Sequence, residues 1–232
     1  MTSANGNNGD VRLSGISVVL VANSNNPTIL NQDFLYHNGL VPKDWTLEKN
    51  MPPVMTPAVS QITFENGFKV IAELNRILFE QFTVPLKEED IVCADIAKRY
   101  LRTVPHVPYT AVGINLHGYR TYQKQASETV SDLLIKKGGW MNFREAAPSF
   151  QVKAVYGYED KTITLDIAEN FIKEKDAKEV PAVVFNANIH RDISDETNQQ
   201  MRVSKLVSIL DSCNKDISDF CLLTKEFESR VS

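Results

Sequence analysis

Along the chain, short runs with an apolar period of two alternate with stretches whose apolar residues recur every three or four positions. These are the local signatures of strands and helices. Residues 16–23 (ISVVLVAN) form a β-branched run and predict a buried strand. A connection over roughly 24–57 follows, with Pro27, Pro42, Pro52, Pro53 and Pro57, and a short helix is expected at NQDFLYHNG, closed by Gly39. So long a connection is unusual in a compact domain and is often functional. Its apolar residues, Phe34, Tyr36 and Trp45 foremost, are expected to cover their own core, with docking on another subunit, as a candidate interaction arm, the alternative.

VSQITFENGFKVIAELNRILFEQF reads as two or three antiparallel strands, because Asn66-Gly67 suits a tight turn and Leu74-Asn75 offers another. EEDIVCADIAKRYLRTV reads as a helix with acids leading and bases trailing, and Ile91, Ala94, Ala97, Leu101 and Val104 inward. YTAVGINLHGY (109–119) is a strand, and TYQKQASETVSDLLIKKGG a second helix stopped by its glycines. SFQVKAVYGY and KTITLDIAEN form a hairpin through Tyr158-Glu159-Asp160, and AVVFNANIHRDI is the last strand. From Ser194 to about Arg230 the pattern is helical and forms a long segment whose continuity near Asn214 the pattern leaves open.

This order predicts an α+β fold. Mainly antiparallel sheet carries helices on one face, arranged as two similar β-meander and helix halves with a long C-terminal helical segment. Residues 1–12 are polar and Asn/Gly-rich and are expected to be a disordered leader. The remainder, 13–232, is expected to be one domain whose halves divide at about 118/119.

Two segments echo each other: GINLHGYR contains Asn115-Leu116-His117, and NANIHRDI contains Asn188-Ile189-His190. On strands, Asn115, His117 and Tyr119 share a face, as do Asn188, His190 and Asp192. Asp166 joins Thr162 and Thr164 on the polar side of its strand. One sheet face is therefore expected to be apolar and the other polar, rich in Asn, Thr and His. The polar face, with Arg120 beside it, is the candidate ligand-binding surface. The echo itself is read as equivalent strands in two similar halves.

The net charge is -4 and the pI about 5.6, which argues against a general nucleic-acid or anionic-membrane binder. The densest basic zone, Lys98, Arg99, Arg102, Arg120, Lys124, Lys136, Lys137 and Arg144, lies at helix ends interleaved with acids. Three cysteines with no C-x-x-C pair read as buried thiols in a reducing compartment. The first ten residues do not form a signal peptide, and no apolar run approaches a membrane span, so a cytoplasmic setting is expected.

His117 and His190 are two potential zinc ligands, but no ligand motif accompanies them, and neither a metal nor a cofactor is expected. His190 with Asp192 could serve acid-base chemistry, with Tyr119 and Arg120 as anion contacts. Residues 113–121 (G-x-x-x-x-G-Y-R-T) imitate a phosphate loop but carry Tyr119 where the lysine belongs. The early β-branched strand with its Asn/Pro arm, the 59–82 meander, and PYTAVGINLHG with the later DISDF together resemble a group of sporadically distributed, uncharacterised bacterial proteins. That resemblance implies no activity and no catalytic residue. The expected function is a non-enzymatic interaction or assembly module partnered by itself or another protein. The alternatives are a small-molecule binder or enzyme on the polar sheet face, and a nucleic-acid-associated factor.

Overall fold

The computed structural model describes residues 11–122, 130, 134–135, 138–142, 144, 148–173 and 178–228. Its strands are β1 (Arg12–Ala22), β2 (Val54–Met55), β3 (Val59–Thr63), β4 (Phe68–Glu73), β5 (Arg76–Phe82), β6 (Tyr109–Thr121), β7 (Gln151–Gly157), β8 (Thr162–Ile172) and β9 (Val180–Asp192). All pair antiparallel in one sheet of order β2-β3-β4-β5-β1-β6-β9-β8-β7. The described helices are α1 (Gln32–His37), α2 (Cys93–Thr103), α3 (Gln199–Asp211) and α4 (Cys213–Glu228). The architecture is the expected α+β fold with an antiparallel sheet.

The pairing scheme has a two-fold symmetry that the chain order hides. In the first half, β1 is followed by a long connection and the meander β3-β4-β5, whose last strand returns to pair with β1. In the second, β6 is followed by a long connection and the meander β7-β8-β9, whose last strand returns to β6. The halves join where β1 pairs with β6, and the register places the pseudo-axis between Val18 and Ile114. From that pair outward run Phe79, Val70 and Ile62 on one side, and Ile189, Ile163 and Tyr156 on the other. Every member of this row is apolar and faces the helices, because alternation sends every second side chain of each strand into the core.

α2 follows β5 and α3 follows β9, and the two helices pack against each other, with Lys98 Nζ 2.7 Å from Asp211 Oδ1. α2 buries Cys93, Ile96, Ala97, Tyr100 and Leu101, a face turned slightly from the expected one. Among the described strands β2 has no counterpart in the other half, and α4 continues beyond α3 where the first half passes from α2 directly to β6.

The structure corrects several expectations. β1 begins at Arg12, inside the segment assigned to the leader. The boundary expected at 118/119 falls within β6, and the repeat of connectivity begins with that strand. The Asn-x-His echo does not mark equivalent strands. β6 and β9 are neighbours within the second half, and the counterpart of β6 is β1. The C-terminal segment, whose continuity the sequence pattern left open, is two helices broken at Ser212, whose hydroxyl donates to Ile209 O at 2.7 Å. The helix expected over 121–139 lies largely outside the described residues.

Trp45 packs edge-on to Phe64 and Phe68, with centroids 5.4 and 5.2 Å away, and the Tyr36 hydroxyl donates to Trp45 O at 2.5 Å. Phe34 meets Tyr100 of α2 at 6.3 Å. Phe34, Tyr36 and Trp45 therefore cover their own core rather than standing free, because the crossover must seal the edge of the first half. The exposed apolar part of the arm is Met51, Val54 and Met55.

Candidate functional site

The sheet face opposite the helices carries three rows of side chains across paired strands. The middle row is polar: Lys69, Glu80, Ser17, Asn115, Asn188 and Thr164. Asn188 Nδ2 donates to Asn115 Oδ1 at 2.6 Å, Asn115 Nδ2 donates to Ser17 Oγ at 2.9 Å, and Lys69 and Glu80 pair at 2.7 Å. The second row runs Phe82, Gly15, His117, Asn186, Asp166 and Lys153. In it the His117 Nδ1–H donates to Asn186 Oδ1 at 2.8 Å, Phe82 stacks obliquely on the imidazole at 5.1 Å, and Lys153 pairs with Asp166 at 3.6 Å. The third row starts apolar, with Ile71, Leu78, Val19 and Gly113, and ends in His190 and Thr162.

Face assignment from alternation places Asn115, His117, Asp166, Asn188, His190 and Asp192 on this surface, but the two histidines do not converge. His190 pairs with Gly113 and His117 with Asn186. Four residues along β6 and one strand across separate their Cα atoms by roughly 14 Å. Asp192 does not orient His190: its carboxylate accepts from the Ser194 N–H at 2.7 Å and the Ser194 hydroxyl at 2.5 Å. Those hydrogen bonds hold its pKa below the usual aspartate value. Tyr119 shares the parity of the face yet is fully buried, and Arg120 points to the opposite side, its guanidinium 5.3 Å over the Tyr122 ring. Among the described residues, no group of three or more His, Cys, Asp or Glu is poised to hold a metal ion.

Of the basic zone, Lys98 is engaged by Asp95 and Asp211, and the Arg99 guanidinium donates to the carbonyls of Gly39 and Leu40. Lys124, Lys136 and Lys137 lie outside the described residues.

The most strongly built polar cluster is one that sequence reasoning missed. Arg191 makes a two-point contact with Asp216 of α4, Nη1 to Oδ2 at 2.9 Å and Nη2 to Oδ1 at 2.7 Å. Lys161 Nζ lies 3.3 Å from both Asp216 and Asp219. Arg191 and Asp216 are buried, and burial of such a pair is tolerable only with its charges matched. The signal was present: Arg191 stands between Ile189 and Ile193 at an inward position, where a charge requires a partner. A cleft of about 450 Å³ opens above the cluster, lined in part by Lys161, Arg191, Asp192, Asp195, Lys205 and Lys215. The floor cations are already neutralised by Asp216 and Asp219, and Lys205 faces Asp195 at 3.6 Å. The cluster anchors α4 to the sheet.

The arrangement is thus a flat face on which Ser17, Asn115 and Asn188, His117 and Asn186, and Lys69 and Glu80 bond to one another, with an apolar row beside them. It lacks the nucleophile–base–orienter geometry of a catalytic centre among the described residues. Neither known protein families nor curated proteins provide a match to this chain, so its functional reading rests on its own geometry.

Proposed function

We propose that this protein is a non-enzymatic assembly module that associates with copies of itself. The observation that carries this reading is where uncovered apolar side chains lie. On the open face, Ile71, Leu78 and Val19 stand side by side and only partly buried, and Phe82, across the polar middle row from them, is 46% exposed. At the far edge of the sheet, Val155 of β7 is 63% exposed. A contiguous apolar row such as Ile71, Leu78 and Val19 marks an association site more often than a purely solvent-facing sheet does. The polar groups beside it bond to one another, which suits recognition by contact better than chemistry. An enzyme on this face would need His117 and His190 to cooperate, and their separation speaks against it.

A cytoplasmic setting accords with three free thiols, two of them buried. No described helix is long and apolar enough to cross a membrane. Sedimentation equilibrium from micromolar to sub-millimolar concentration tests the proposal. A mass rising above the monomer is expected, and a monomer throughout refutes self-assembly.

A further inference from the structure

The two outer edges of the sheet are equivalent by the pseudo-symmetry but are treated differently. On the first half, the outer edge of β3 is sealed by the protein's own arm: β2 pairs Val54 with Gln61 and Met55 with Ser60, and Leu47 bridges to Phe64. Ser60, Ile62 and Phe64 beneath that cover are fully buried. Through the rows on either side of the Val18–Ile114 axis, Ile62 corresponds to Tyr156, and Ser60 to Ala154. β7 ends the sheet, and among the described residues no strand pairs with its outer side. Its inward residues Val152, Ala154 and Tyr156 are only half-buried. Among the described residues, the second half therefore has no strand that covers its edge as β2 covers the first.

We propose that this cover is β7 of a second copy, added antiparallel about a two-fold axis at Ala154, and that this edge is the contact through which the protein self-associates. The inference rests on the self-assembly reading above and names its surface. The strand is complementary to itself in that register. Val152 faces Tyr156 of the partner on the core side, prolonging the apolar row that β2 and the arm close on the other edge. On the open side Lys153 faces Val155 of the partner, so no like charges stand opposite each other, and each Lys153 keeps its pairing with Asp166 at 3.6 Å. A two-fold contact closes on itself and stops at a dimer. The pairing satisfies the outward backbone groups that an edge strand otherwise leaves to water. It also joins the two open faces into one continuous surface.

The test is sedimentation of the full chain with three substitutions. Val155→Lys sets lysines opposite each other twice across the axis and is expected to weaken the dimer by about tenfold, whereas Val155→Glu sets opposite charges there and preserves or tightens it. Leu74→Lys, exposed in the turn between β4 and β5 and remote from β7, is expected to leave association unchanged. Val155 is largely exposed, so the fold tolerates both changes, and circular dichroism verifies this. Independently, amide exchange over 151–157 in the wild type should slow as concentration rises. A wild type that associates while both Val155 variants match it and the β7 amides stay unprotected overturns the edge contact but leaves self-assembly standing. Loss of association in Leu74→Lys alone has the same meaning and moves the contact to the first half's end of the sheet. A wild type that remains monomeric overturns both.

Discussion

Gln81 and Arg191 occupy equivalent positions in the two halves, and each ties the sheet to the helix layer. Both stand one inward step beyond the central row, Gln81 paired with Ile16 and Arg191 with Val112. Gln81 Nε2 donates to Asp90 O at 2.8 Å, and its Oε1 accepts from the Val92 N–H at 3.2 Å, pinning the start of α2. Arg191 reaches Asp216 and pins α4. One place in the repeat thus does the same mechanical work with a neutral amide on one side and an ion pair on the other.

The ion pair should be the more sensitive of the two. Asp216→Ala leaves Arg191 and Lys161 without their shared carboxylate, and is expected to destabilise by about 3–5 kcal/mol in urea titration. The double variant Arg191→Met with Asp216→Leu should lose clearly less than the two single losses combined, because no unmatched buried charge remains. Additive losses would mean the two side chains do not act as a pair.

Gln81→Leu keeps the volume but removes both backbone contacts. Leaving the Val92 N–H and Asp90 carbonyl unanswered should cost about 1–3 kcal/mol. Exchange of the Val92 amide should quicken more than that of amides in the middle of α2. An unchanged Val92 amide would show that its protection comes from elsewhere.

Gly118 is small because α4 crosses it closely. A Cβ there would lie 2.8 Å from Val11 Cγ1 and 3.0 Å from the ring of the buried Phe220. Gly118→Ala should therefore displace α4 and destabilise by about 1–3 kcal/mol. A melting temperature equal to wild type would show that the helix shifts without cost.

The cysteines should differ in reactivity. Burial pushes the Cys213 thiol up to about 12, with Asp216 adding to the effect, and burial pushes Cys93 higher still. The thiolate is the nucleophile, so both should resist a disulfide-exchange reagent at mildly alkaline pH, while partly exposed Cys221 reacts. Unfolding should release all three. Rapid reaction of Cys93 or Cys213 in the native protein would contradict the packing described.

Asp192 supplies a pH test. Its folded pKa lies below the ordinary 3.8 because Ser194 donates to it twice. Its contribution to stability is present above that ordinary value and fades as pH falls through the lower folded one. In Ser194→Ala one donor is lost, and the Asp192 carboxyl followed by NMR should titrate closer to 3.8. A titration unchanged by the substitution would assign the shift to other neighbours.

What the sequence determined by itself is local. Alternation in VSQITFENGFKVIAELNRILFEQF and AVVFNANIHRDI gave the strands, their turns and the face of each side chain, because a period of two is written in neighbouring residues. It placed Asn115, His117, Asn188 and His190 on one surface correctly. It could not say which strands lie side by side, since strand partners are chosen across long stretches of chain by burial of the whole apolar face. Only the tertiary structure decided that β1, not β9, is the counterpart of β6, and that His117 and His190 stand two rows apart. The same holds for the burial of Tyr119, the closing of the arm over its own core, and the pairing of Arg191 with Asp216 in a helix 25 residues further on.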